Sequence, residues 1–242
     1  MRKQLLKKVL LTSIIIYQYC PAIAQDFSRS TGGISTATDI SGKPVYLKTE
    51  YRAEGSPYYY EDYCVADITA TDGKVYTAVK VKINLLENKV LYLLDDGSEM
   101  LATTPLVKIK LYPYVRDGKA YPLTILQSIG DPINKENTKI YAVLVDSTAK
   151  LFKQIVVTYS DSKGYGEASI TRTFNKSENY FASIPSSSLS LQKIEKNKSA
   201  VTSLFGAQKE KIAAYIEQEK LNCRSEQDLI RIFKYYHTLV QS

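Results

Sequence analysis

The chain has no tryptophan, one histidine, two methionines and three cysteines among its 242 residues. Each shortage closes off a class of chemistry. One histidine excludes any metal site built on two, such as the His-Glu-x-x-His zinc helix. The cysteines form no Cys-x-x-Cys pair and no disulfide framework, and no EF-hand spacing is present. No metal or cofactor is therefore expected. His237 is the one histidine available as a general base, but no Ser or Cys nucleophile signature accompanies it. The lack of tryptophan also removes a large aromatic platform for stacking sugars.

What is present is ordinary in bulk. Hydrophobic residues make up 44% and charged residues 24%, so the chain as a whole is neither disordered nor fibrous. Its length supports one or two domains with a large core. The individual feature is tyrosine, with 20 copies.

Residues 1–24 carry a basic start (Arg2, Lys3, Lys7, Lys8), a short apolar run through Ile16 and the small-x-small sequence Ala22-Ile23-Ala24. This order reads as a secretory signal peptide cleaved after Ala24. The apolar run is about half the roughly 20 residues a membrane span needs. Tyr17-Gln18-Tyr19 before Cys20 is not the small-residue pattern of a lipid attachment site, so lipoprotein anchoring is not expected. Cleavage removes four cations and no acid, taking the net charge from +7 to +3. The basic stripe that nucleic-acid binding requires is then missing, and no nucleic-acid partner is expected. The expected location is the periplasm or the exterior.

In that oxidising setting two cysteines remain, Cys64 and Cys223. Two readings stand: a disulfide closing a long loop, or two buried thiols serving as small hydrophobes.

The Ser/Thr/Gly-rich residues 25–43 read as a flexible leader. From 44 to 194 the apolar period is two. Val79, Val81 and Ile83 alternate with Lys80, Lys82 and Asn84, and Val107, Ile109 and Leu111 alternate with Lys108 and Lys110. Further strands are expected at 45–51, 64–70, 90–94, 123–129, 140–145, 151–159, 168–174 and 188–193. Thr71-Asp72-Gly73-Lys74, Asp95-Asp96-Gly97-Ser98, Arg116-Asp117-Gly118-Lys119 and Ser162-Lys163-Gly164 read as hairpin turns. No helical pattern separates these strands, which favours an antiparallel meander or open barrel. From 195 to 242 the period becomes helical. Val201, Leu204 and Phe205, then Ile212, Tyr215 and Ile216, then Leu229, Ile232, Phe233 and Tyr236 mark three amphipathic helices. Gly206 separates the first two, and Ser225 with Asp228 caps the third. The expected fold class is α+β: a large antiparallel sheet followed by a C-terminal three-helix tail packed on it.

The segment Gly55–Tyr58, the hairpin Asp72–Asn84, the strand and acidic turn Val90–Gly97, the strand pair Tyr141–Lys153 and the close Tyr235-Tyr236-His237 together resemble a group of uncharacterised exported proteins of Bacteroidota. The group closes on Asn where this chain has His237, and Cys64 replaces a small or polar residue. The resemblance implies export and this fold, and carries no chemistry.

Binding candidates are surfaces. Tyr58, Tyr59, Tyr60 and Tyr63 form an aromatic cluster suited to a protein or glycan partner, or to strand packing on both faces. Strand alternation would put Tyr59, Glu61 and Tyr63 on one face and Tyr58, Tyr60 and Asp62 on the other. Lys80, Lys82, Lys108 and Lys110 would suit an anionic membrane surface, or simply a solvated sheet face. Asp95–Glu99 fits a solvated turn better than a calcium loop. The expectation is a non-catalytic envelope interaction or structural module, not an enzyme. Two alternatives remain: a carboxylate-dependent carbohydrate-active hydrolase, for which Glu61, Asp62 and Asp67 are candidate acids, and an anionic-lipid-binding envelope protein.

Overall fold

The computed structural model describes residues 51–130, 138–165, 169–185 and 191–241, and the backbone of Ile34–Thr38 and Pro44–Lys48. The expected signal peptide lies outside the described residues.

The meander is formed by β4 (Cys64–Ala70), β5 (Val75–Asn84), β6 (Lys89–Leu93), β7 (Glu99–Leu101), β8 (Leu106–Leu111), β11 (Thr124–Gly130), β12 (Thr138–Val145), β13 (Lys150–Ser162) and β14 (Ile170–Ser183). Around them lie β1 (Ile34–Thr38), β2 (Pro44–Lys48), β3 (Tyr51–Glu54) and β15 (Gln192–Lys193), and a separate hairpin joins β9 (Tyr114–Arg116) to β10 (Lys119–Tyr121). The 13-stranded sheet runs β15-β14-β13-β12-β11-β8-β4-β5-β6-β7-β1-β2, with β3 also paired to β14. All contacts are antiparallel except β1 with β7 and β3 with β14. The leader expected at 25–43 is corrected in part: Ile34–Thr38 is strand, paired with both β2 and β7. Pairing to a distant strand is invisible to local composition.

The sheet is rolled. Glu54 pairs with Thr173 of β14, and four residues later Tyr58 bridges Asn84 of β5. Four residues span at most about 14 Å. A flat sheet would put about 30 Å between those two places, at roughly 4.8 Å per strand. At the join, a Cβ on Gly55, whose φ is +73°, would stand 2.9 Å from the Phe174 carbonyl oxygen.

Rolling encloses an apolar core to which no helix contributes, including Ala66, Ile68, Val81, Ile83, Ile109 and Leu126. A second core lies where α1 (Lys198–Ser203), α2 (Lys209–Gln218) and α3 (Glu226–Gln241) pack on the other end of β12–β15. Phe233, Ile232, Leu229 and Ile212 are fully buried there against Leu151 and Ala182. Local signals set the helix starts. Asn197 Oδ1 accepts from Ala200 N at 2.8 Å, and Ser225 Oγ accepts from Asp228 N at 3.4 Å. One face of the β13–β14 hairpin serves both cores, with Leu151 and Ala182 at the helical end and Val157 and Phe174 inside the roll. On β12 an irregularity between Val143 and Val145 resets the alternation, so Val145 joins the helical core while Ile140 and Ala142 line the roll.

Cys64 sits in the rolled-sheet core and Cys223 in the helical core; both are free thiols. The second of the two readings from sequence is the one realised: they pack as small hydrophobes in different cores, and burial raises both thiol pKa values.

Candidate functional site

The strand registers define two ends of the roll. At one end lie the start of β4, the end of β5 and the end of β8. At the other lie the end of β4, the start of β5, the end of β6 and the start of β8.

The sequence-predicted tyrosines occupy the first end. They are not on a strand, so the expected two-face alternation does not hold. Instead the backbone of this segment caps β5: Tyr59 N donates to Ile83 O and Leu85 N to Pro57 O, each at 2.9 Å. Tyr59 and Tyr60 turn into the core and meet edge-on at 4.7 Å. Tyr60 also packs edge-on against Tyr121, which stacks on Tyr114 at 4.4 Å. These rings plug the roll. Burial pushes the Tyr59 phenol well above its ordinary pKa. Tyr58 and Tyr63 go the other way and hold Lys82 between them, with its ammonium 4.2 Å and 5.7 Å from the ring centroids. Burial lowers the Lys82 pKa. Tyr63 donates its hydroxyl to Glu99. The four tyrosines are therefore half-buried and engaged by the protein itself. Of the expected lysine face, Lys82 is capped and Lys110 lies over Tyr112 at 5.3 Å, so these cations do not form one free patch.

Of the carboxylates named from sequence, Glu61 is exposed, while Asp62, Asp67 and Asp96 are engaged. Asp62 pairs with Arg116. Asp67 Oδ2 accepts from Tyr112 Oη at 2.7 Å and Oδ1 from Ala78 N at 3.2 Å. Asp96 accepts from Ser98 N at 2.8 Å within its own hairpin turn. A closer pair of carboxylates was not legible: Glu178 and Glu226. Tyr180 Oη lies 2.9 Å from one and 3.0 Å from the other, and Lys153 Nζ is 2.7 Å from Glu226 and 3.5 Å from Glu178. Burial alone would lower the Lys153 ammonium, but the two glutamates hold it above its ordinary pKa. Glu226 is the first residue of α3, so this cluster ties the helix start, where a negative charge is favoured, to the β13–β14 hairpin. At the far end of α3, Thr148 Oγ1 lies 2.9 Å from His237 Nδ1, linking the helix to the β12–β13 turn.

The second end of the roll is open. It holds a cavity of about 620 Å³. Its floor is the inner face of the sheet: Ile68 and Ala70 of β4, Val79 of β5, Tyr92 of β6 and Leu106 of β8. A β-bulge shapes it. Ala66 pairs with Val79 but Ile68 pairs with Tyr76, so Thr77 and Ala78 together face Asp67. Ala78 takes a left-handed φ of 56°, and its N–H finds the Asp67 carboxylate. The bulge reverses the alternation before Val79 and turns Tyr76 inward, where it stands at the mouth with half its surface exposed.

Backbone bonds hold the walls. Thr71 N donates to Pro105 O at 3.0 Å, Leu94 N to Ser98 O at 2.9 Å and Ala102 N to Val90 O at 2.8 Å. Thr77, Thr104 and Asp95 add polar groups to the cavity lining, while Lys80, in register with the exposed Val65, alternates to the outer face. Sequence reasoning missed this cavity. Its one signal was the small, polar Thr77-Ala78 step inside a valine-rich strand.

No protein-family model, curated protein or solved structure matches this chain.

Proposed function

We propose that this chain is a non-catalytic, exported binding module of the cell envelope that takes an apolar ligand at the open end of its rolled sheet. The cavity carries the reading. Its volume of about 620 Å³ falls within the usual range for small-molecule sites, and aliphatic side chains with a few polar rim groups are the usual lining. Export rests on the three-part pattern of residues 1–24 and on the resemblance to exported Bacteroidota proteins. The Tyr58–Tyr63 segment serves this function as the plug of the opposite end. The hydrolase alternative needs two carboxylates facing each other across a cleft. The pair found here, Glu178 and Glu226, is bound to Lys153 and Tyr180.

The test is a titration of the folded protein with N-phenyl-1-naphthylamine, an uncharged dye that brightens in apolar surroundings. One saturable site is expected, weakened at least tenfold by Thr104→Trp, which fills the cavity from an exposed rim position. Equal dye binding by a folded Thr104→Trp variant, or no saturable binding, refutes the assignment.

A further inference from the structure

We infer that the open end of the roll docks on a lipid bilayer whose head groups carry no net charge, and that the cavity fills from that bilayer; the second clause rests on the cavity being the binding site. Exposed apolar side chains make the docking surface. Val75 is 58% exposed, Tyr76 49%, Leu94 44% and Val107 38%. Register brings them to one place. Tyr76 and Leu94 line the cavity mouth. Val75 pairs with Thr69 of β4, and across β4 the same Thr69 pairs with Lys108, the neighbour of Val107. Val75 and Val107 thus continue the apolar surface onto the outside of the rim. Exposed apolar residues scattered singly are normal, whereas four bordering one opening mark an interaction site.

Area chooses the class of partner. Together the four side chains expose roughly 300–400 Å². A stable protein partner buries about 800 Å² on each side, well beyond what these residues offer. A bilayer sets no such minimum, because its affinity scales with the apolar area that enters the interface. Tyr76 suits that boundary, with an apolar ring and a polar tip. The cavity opens inside the same rim, so an apolar ligand passes from the bilayer to Ile68, Val79 and Leu106 without crossing water.

Charge chooses the lipid. The two turns beside the cavity, 71–74 and 95–98, hold three carboxylates, Asp72, Asp95 and Asp96, against one cation, Lys74. Lys74 is paired with Asp72 at 3.0 Å, which leaves the other two acids to meet an anionic surface as like charges. Lys80 and Lys108 alternate to the outer face of the wall, where they balance those acids without joining the rim.

The test is cosedimentation of the folded protein with vesicles of phosphatidylcholine, and with vesicles of equal parts phosphatidylcholine and phosphatidylglycerol, at about 0.1 M and about 1 M NaCl. Binding to phosphatidylcholine is expected at both salt levels, and the anionic lipid should not strengthen it. Leu94→Asp and Val75→Asp should each lower the partition constant at least tenfold, with urea unfolding showing that each variant is folded. Val115→Asp, at an exposed position on the separate β9–β10 hairpin, should leave it unchanged. No binding to phosphatidylcholine overturns the inference. So does binding that needs phosphatidylglycerol and vanishes at high salt, or an equal loss in Val115→Asp. A dimer that forms without vesicles and is dissolved by Val75→Asp assigns the rim to a second copy and overturns the inference as well. Val75 lies outside the cavity lining, so Val75→Asp should still bind N-phenyl-1-naphthylamine. Dye binding without vesicle binding removes the docking surface and leaves the site standing. Vesicle binding without dye binding supports the docking surface and removes the site together with its filling from the bilayer.

Discussion

Two residues with positive φ give a reciprocal test of the backbone that shapes the roll. Ala78 sits in the bulge beside the cavity at φ 56°, and Gly55 joins β3 to the plug at φ 73°. A side chain in the left-handed region costs about 1–2 kcal/mol relative to glycine. Glycine gives back about 0.4–1 kcal/mol through its freer unfolded chain. Ala78 is exposed, so its methyl group contributes little packing. Ala78→Gly should therefore stabilise by about 0.5–1 kcal/mol, raising Tm by roughly 1–4 °C at this chain length. Gly55→Ala carries the opposite backbone term plus an overlap. Its Cβ would lie 2.9 Å from the carbonyl oxygen of Phe174, in a strand paired on both sides and unable to yield cheaply. Overpacking of this kind costs about 1–3 kcal/mol, so a total loss of about 2–3 kcal/mol is expected. Urea unfolding at constant m-value measures both. Shifts of the same sign, or an Ala78→Gly loss above about 1 kcal/mol, would refute the bulge geometry.

Lys153→Met removes the cation shared by Glu178 and Glu226, whose side chains are 46% and 27% exposed. A loss of about 1–3 kcal/mol is expected, below the cost of breaking a fully buried pair. Adding Glu226→Gln should cost less than its single effect, and strict additivity in a double-mutant cycle would mean the latch does not couple these residues. The raised Lys153 pKa places this contribution fully below the unfolded lysine pKa, about 10.4, with loss as pH rises through the higher folded value. On the acid side, Arg172 holds the Asp161 carboxyl below its ordinary range through a bidentate contact at 2.7 Å and 2.6 Å. That stability is complete above the unfolded carboxyl pKa, about 3.9, and is lost as pH falls through the lower folded value. Asp161→Asn should flatten the acid limb of the stability curve, and an unchanged limb argues against the pair. Both thiols being free, reducing agent should leave Tm unchanged; a drop would reveal a bridge.

The strands that were legible are those whose alternation is local and one-sided. Cys64–Ala70 was read at its true bounds because burial there is strictly periodic. The second half of β14, Asn175–Ser183, was not read. The face that continues Phe174 runs Lys176, Glu178, Tyr180, where Lys176 Nζ donates to the Tyr58 carbonyl and Glu178 and Tyr180 meet Lys153 and Glu226, so no apolar alternation marks it. The short β7, β9 and β10 carry too few residues for a period to register. The site was misplaced for a related reason. The tyrosine cluster is conspicuous in sequence, whereas the cavity is a space between residues that are individually ordinary.

The sequence by itself determined the α+β class, the three helices and the Ser225 cap of the third, and the turns at Gly73, Gly97 and Gly118, which all take positive φ. These depend on propensities and periods that act within a few residues of one another. The tertiary structure alone decided that the sheet rolls, that the tyrosines plug one end, that the cysteines fall in separate cores and that the other end stays open. Those outcomes follow from contacts such as Glu54 with Thr173 and Tyr58 with Asn84, where distant residues meet and no local pattern records the pairing.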